Sequence, residues 1–198
     1  MTSILKADTI QDTDGNNIIN ENSNTITIGA SGDTTNIIGT LQNNGSAVAV
    51  DNTPMFSARL GSNSSSISQN TTTKVVCGTE EFDTDSAYDT SNGRFTVPSG
   101  EGGKYVFVSQ VAFNTTNSNQ GFEVRHYKNG SGVSSNQVYA DSSSTFSGSI
   151  LTSLQNTIVI DLSASDYVET YAVAFNGGDF VFDATNSMTF FRGYKLIG

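Results

Sequence analysis

From Pro54 onward the apolar residues come in short stretches, each ended within about ten residues by Gly, Asn, Asp or Ser. The stretches span 56–60, 73–77, 94–97, 104–112, 122–128, 137–140, 157–162, 167–175 and 188–197. None keeps a helical period for longer than one turn, so this part of the chain can bury its apolar side chains only by pairing strands. Nine or ten strands over this length predict an all-β sandwich or jelly roll. Composition agrees, since 71 of the 198 residues are Asn, Ser or Thr and another 19 are Gly. Such residues favour turns and disfavour coiled coils, while 12 Phe and 7 Tyr exclude wholesale disorder.

The stretches at 105–108 and 171–175 are apolar on both strand faces. An antiparallel sandwich normally leaves one face wet, so this pattern predicts that the outer face is covered by another subunit. Residues 1–51 differ, having no aromatic residue and a charge of −5 from six carboxylates and Lys6. Their Ile and Leu patches (Ile26, Ile28, Ile38, Leu41) are too few to offset the ordering entropy alone. Residues 1–53 are therefore expected to be either a stalk whose core is shared between chains or a floppy polar arm. Residues 54–198 form the second domain.

With 9 Lys and Arg against 19 Asp and Glu, the net charge is −10. The cations are scattered singly, which argues against nucleic acid as a partner. No apolar run reaches the ~20 residues that span a bilayer, so no membrane insertion is expected, and no export signal is visible at the start. Cys77 and His126 are the only residues of their kinds. Neither a zinc site nor a Cys–His nucleophile can be assembled from one of each, and no G-x-S-x-G elbow is present. Cys77 reads as a buried inert thiol, and His126 shares a strand face with Phe122 and Val124. Asp83, Asp85 and Asp89 resemble a loose calcium cluster but lack the loop Gly and closing Glu of an EF-hand; a surface acidic turn is the alternative. Five N-x-S/T sequons are what 20 Asn among so many Ser and Thr produce by chance. The expectation is no catalytic residue, no metal and no cofactor.

The spacing of Tyr88, Asn92-Gly93, Phe95 and Pro98, followed by Gly103, Tyr105 and Phe107, resembles the signature of complement-head and tumour-necrosis-factor domains. Phe56, the 166–171 strand and the closing Phe190, Gly193, Tyr194 and Leu196 fall in matching order, so the resemblance covers 54–198. It implies a ten-strand jelly-roll head assembled as a homotrimer with aromatic residues along its axis. Asn92-Gly93 suits the positive φ of a tight turn, and Gly193 would leave room where strands approach closely. The chain departs from the animal domains in two ways: it has no collagen repeat, and Val97 stands where many relatives have Cys. Residues 3–11 and 25–32 instead resemble the openings of small structural proteins of phages that infect aquatic bacteria.

Together these resemblances imply a trimeric virion appendage, a short tail fibre or capsid fibre. Its 1–53 segment would join other virion proteins, and its head would contact a host surface glycan or outer-membrane protein. The alternative is a capsid cement protein without host binding. Because the last strand must return to the end where the head begins, loops 61–70 and 176–186 are expected at the far tip. Asn63, Gln69, Asn176, Asp179 and Asn186 are the candidate binding residues there. The competing expectation is that Phe180 and Phe182 pack into the end of the head while the Asn and Asp residues cap turns.

Overall fold

The computed structural model describes residues 38–44, 46–47, 52–116, 120–142 and 150–196. The Ile26 and Ile28 patch of the expected stalk lies outside the described residues. The chain separates into two compact units, Met1–Ala49 and Val50–Gly198. In the first unit, β1 (Gln42–Asn43) and β2 (Ser46–Ala47) pair antiparallel across a turn in which Asn44 has φ 50°. Ile38 and Leu41 of the same unit are exposed.

The second unit is a sandwich of two antiparallel sheets. Its strands are β3 (Met55–Arg59), β4 (Thr73–Lys74), β5 (Thr79–Asp83), β6 (Tyr88–Asp89), β7 (Arg94–Thr96) and β8 (Gly103–Thr115), followed by β9 (Gln120–Lys128), β10 (Ser131–Ser142), β11 (Ile150–Leu162), β12 (Tyr167–Phe175), β13 (Val181–Phe182) and β14 (Phe190–Lys195). One sheet runs β11-β8-β14-β3-β5, with β13 also on β8. The other runs β10-β9-β12-β7-β6, with β4 also on β12. This is the all-β jelly-roll sandwich expected from the segmented pattern.

Several boundaries differ from expectation. Strand β11 begins at Ile150 rather than 157, because Leu154 and Asn156 both point inward on either side of the exposed Gln155. Buried Asn156 is accommodated by donating Nδ2–H to the Val124 carbonyl at 2.9 Å. Strand β5 falls in an acidic stretch with no apolar alternation. It forms because β3 offers an edge, and its charges suit an edge strand. The 73–77 stretch keeps only two paired residues as a strand, yet Val75 and Cys77 are buried in the core.

Aromatic rings fill the space between the sheets. Phe56 stacks on Tyr88 at 4.6 Å between centroids and meets Phe191 edge-on at 4.9 Å. Phe95, Tyr105 and Phe107 complete this cluster. A second cluster at the other end joins Phe113 to Phe122, Phe180 and Phe182. Gly193 lies in the first cluster, where a Cβ would stand 2.5 Å from Phe107 Cδ1 and 2.8 Å from Phe56 Cε1. The room expected at this glycine is therefore occupied by two rings.

The two strands that read as apolar on both faces turn out to serve different sheets. Val106 and Val108 of β8 lie outside the β11-β8-β14-β3-β5 sheet, whereas Tyr171, Val173 and Phe175 of β12 lie outside the other. Val173 is already buried within the single chain.

Candidate functional site

The register of β14 against β3 fixes the two ends of the head. Tyr194 pairs with Met55 and the Lys195 N–H reaches the Pro54 carbonyl at 3.1 Å, so the head's first and last strands meet at the base. Phe190 pairs with Arg59 at the opposite end, and both loops expected at the tip are found there. They are joined to each other. Ile67 and Phe180 exchange two backbone hydrogen bonds of 2.8 and 3.0 Å, and the Ser64 N–H bonds the Phe182 carbonyl at 3.0 Å.

The candidate residues divide by what their side chains do. Asn63 Oδ1 accepts the Ala184 N–H at 2.8 Å and its Nδ2 reaches Asp183 Oδ2 at 3.4 Å, so Asn63 ties the loops together. Asn176 (φ 60°) and Asn186 (φ 53°) occupy left-handed turn positions and are exposed. Asp179 and Gln69 are exposed as well. Backbone carbonyls beside them hold the loop in shape: Gln120 Nε2 donates to those of Asn176 and Gly178, and Thr115 Oγ1 donates to that of Asp179. Phe180 and Phe182 are buried, as the competing expectation had it. Beside the 61–67 loop lies a groove of about 410 Å³, with Leu60, Val76 and Phe182 among its lining residues and a rim of serines.

Asp183 is the hub of the tip and was not singled out from the sequence. Its carboxylate accepts from Asn114 Nδ2 at 2.8 Å and from the Thr185 N–H at 2.7 Å. These hydrogen bonds, that of Asn114 foremost, hold its pKa below the ordinary carboxylate range.

On the outward face of the other sheet, buried Glu169 accepts both Lys74 Nζ and Arg94 Nε at 2.8 Å on one carboxylate oxygen. Burial works against ionising Glu169, but the two cations outweigh it and its pKa is lowered. Arg94 also lies 3.8 Å over the Tyr167 ring. The only sign of this cluster in the sequence was the alternation of charged positions with the core-facing Phe95 and Val168.

At the base, Asp166 is brought down to about 2 by Lys128 first and by Asn129 next. All three carboxylates have lowered pKa values in the folded state, so each stabilises the fold above its unfolded pKa. That contribution drains away as pH falls through the folded value. The melting temperature is expected to be flat from pH 7 to about 5 and to fall progressively towards pH 2. Circular-dichroism melts across that range check it; constant stability down to pH 3 would contradict these assignments.

The acidic turn carries out local capping. Asp83 Oδ2 accepts the Tyr88 N–H at 2.8 Å, while Asp89 Oδ1 accepts the Ser91 N–H at 2.9 Å and the Ser91 hydroxyl at 2.6 Å. Gly93 follows with φ 64°, the positive value expected of it. Among the described residues no three His, Cys, Asp or Glu side chains come together to hold a metal. Cys77 is buried, and that burial pushes its pKa up to about 12. His126 Nε2 lies 2.8 Å from Ser109 Oγ, which in turn lies 2.5 Å from Thr170 Oγ1. All three residues are sealed in the core, so the Ser–His contact is a buried polar pair without access for a substrate.

No protein-family model matches the chain, and no curated protein matches it. Solved structures do. Murine APRIL at pH 5.0 is 15% identical over 72% of this chain and 98% of its own, with a TM-score of 0.51. Eiger TNF from S. frugiperda is 13% identical over 72% of this chain and 90% of its own, with a TM-score of 0.50. The globular domain of zebrafish complement 1qA protein is 17% identical over 73% of this chain and 98% of its own, at a TM-score of 0.38. At these identities the likeness is one of fold: the second unit is a two-sheet jelly roll of the kind seen in APRIL and Eiger TNF.

Proposed function

We propose that this chain is a non-enzymatic, trimeric virion appendage of a bacteriophage, with residues 54–198 as a binding head and the N-terminal segment as its attachment to other virion proteins. The observation that carries the trimer is the outward face of the β11-β8-β14-β3-β5 sheet. Phe82, Leu151, Val159 and Tyr194 are exposed, and a groove of about 650 Å³ runs over Met55, Val108, Phe190 and Gly193. An exposed, largely apolar groove of this kind belongs in an interface. The charges that line this groove, Glu81 and Arg192, are already paired within the chain. Glu81 accepts the Ser57 hydroxyl at 2.6 Å and meets Arg192 at 3.4 Å and Arg59 at 3.9 Å. Two further copies of the same chain could therefore cover it without stranding a lone charge. The trimer implied by the resemblance needs such a face.

Binding through the tip follows from the trimer: three copies of one exposed loop cluster give avidity to weak contacts with a host surface glycan or outer-membrane protein. The cement-protein reading is favoured by one observation, that Asn63 and Asp183 are already engaged in structural hydrogen bonds. A triple variant, Asn176→Ala with Asp179→Ala and Asn186→Ala, separates the two. Its melting temperature is expected to fall modestly, because two left-handed Asn positions are lost. The wild-type protein is expected to compete with particle adsorption to host cells, and the folded variant to compete at least tenfold less well. Equal competition would remove the tip from the binding site, and no competition by either protein would favour the capsid cement.

A further inference from the structure

The outward face of the β9–β12 pair carries a second groove, built from other residues than the tip loops. Register assembles it: Tyr171 pairs with Arg125, Val173 with Glu123 and Glu169 with Tyr127, so these side chains share the face turned away from the core. Thr72, Glu123, Arg125, Tyr127, Tyr171 and Phe175 are among the residues lining a pocket of about 160 Å³. Buried Val173 lines it too. The pocket is smaller than the ~300 Å³ at which drug-sized ligand sites begin, which suits one small ring rather than a peptide.

The groove brings together three kinds of group. The rings of Tyr127 and Tyr171 pack at 4.1 Å between centroids and 35° between planes, which fixes an aromatic wall. Glu123 holds Arg125 Nη2 at 2.7 Å, orienting the guanidinium. Arg125 Nε–H is buried and has no acceptor among the described residues. A donor in that position is costly to leave unused, and such groups in folded proteins generally find a partner. The charges of Glu123 and Arg125 cancel, which favours an uncharged polyol over an ion. A pyranose meets all three requirements. Its C–H face packs on an aromatic ring, one hydroxyl donates to the carboxylate, and another accepts from the guanidinium.

The geometry points to a monosaccharide-binding groove on this face, taking one pyranose unit of a glycan by stacking on Tyr171 and hydrogen bonding to Glu123 and Arg125. It deepens the host-contact reading by naming a ligand class and rests on that reading only for the source of the sugar; it needs neither the tip loops nor the trimer.

Gly132 provides a variant that perturbs the site gently. A Cβ there would stand 2.9 Å from Arg125 Nη1, the flexible end of the side chain, so Gly132→Ala should displace the guanidinium and keep the fold. The test is saturation-transfer NMR on the full chain. The probes are methyl α-mannoside, methyl α-glucoside, methyl β-galactoside and N-acetylglucosamine at millimolar concentration. At least one sugar is expected to receive transfer. Tyr171→Ala should abolish it, and Arg125→Gln and Gly132→Ala should each weaken binding by about tenfold, the loss of one charge-assisted hydrogen bond. Native circular dichroism qualifies each variant, and Gly132→Ala carries the test if Tyr171→Ala fails to fold. No transfer to any of the four sugars overturns the proposal, as does unchanged transfer in the folded variants. Neither result alters the mass or the tip-variant competition, so failure here is distinct from failure of the appendage reading.

Discussion

Replacing Gly193 with alanine is expected to destabilise the head by about 3 kcal/mol, the upper part of the usual overpacking range. For a unit of this size that lowers Tm by roughly 10 °C. The reason is geometric. The new Cβ would sit 2.5 and 2.7 Å from two atoms of the Phe107 ring and 2.8 Å from Phe56. Both rings are fully buried and held by Tyr88, Phe95 and Phe191, so neither can yield without moving the rest of the cluster. Gly102→Ala is the matched control, because its nearest neighbour would be the Leu162 carbonyl at an ordinary 3.5 Å. Thermal melts of the two variants should separate clearly. If both melt with the wild type, the packing described around Gly193 is wrong.

The second large effect concerns assembly. Val106 and Val108 stand on the outward face of β8, beside strands that present Val159 and Tyr194 to solvent in the single chain. Changing both valines to glutamate would place two carboxylates in the centre of the proposed interface, where Arg192, cross-strand from Val108 and already facing Glu81, can partner at most one of them. Burying an unpaired charge costs several kcal/mol, more than a subunit contact can absorb. The variant should keep its far-ultraviolet circular dichroism and fall to the mass of one chain. A double variant that keeps the wild-type mass would move the interface elsewhere.

Much of the fold was legible because the head's apolar residues alternate wherever they face the sandwich. Phe95 and Val97, Tyr105 and Phe107, and Phe122 and Val124 declare their strands and their inward face together. Asn92-Gly93 was legible because only a few residue types accept its turn. The N-terminal half of β11 was not, since it buries Asn156 by a hydrogen bond that no periodicity reveals. Strand β5 was hidden for a related reason, because an edge strand needs a neighbour more than an apolar pattern. The tip was half legible. Chain direction placed its loops, but which Asn ties the loops and which is presented to solvent depends on partners distant in sequence: Asn63 meets Asp183 and Ala184 across the tip. The Lys74–Glu169–Arg94 cluster and the Tyr127–Tyr171–Arg125 groove depend on the β4-β12, β12-β7 and β12-β9 registers, which a linear reading does not contain.

The central claim, that the apolar face of the head is closed by two further copies, is tested most directly by the mass of the full chain in solution. Light scattering coupled to size-exclusion chromatography at micromolar concentration should return three times 20.9 kDa, about 63 kDa. A mass near 21 kDa would contradict the trimer and leave that face without its proposed partner.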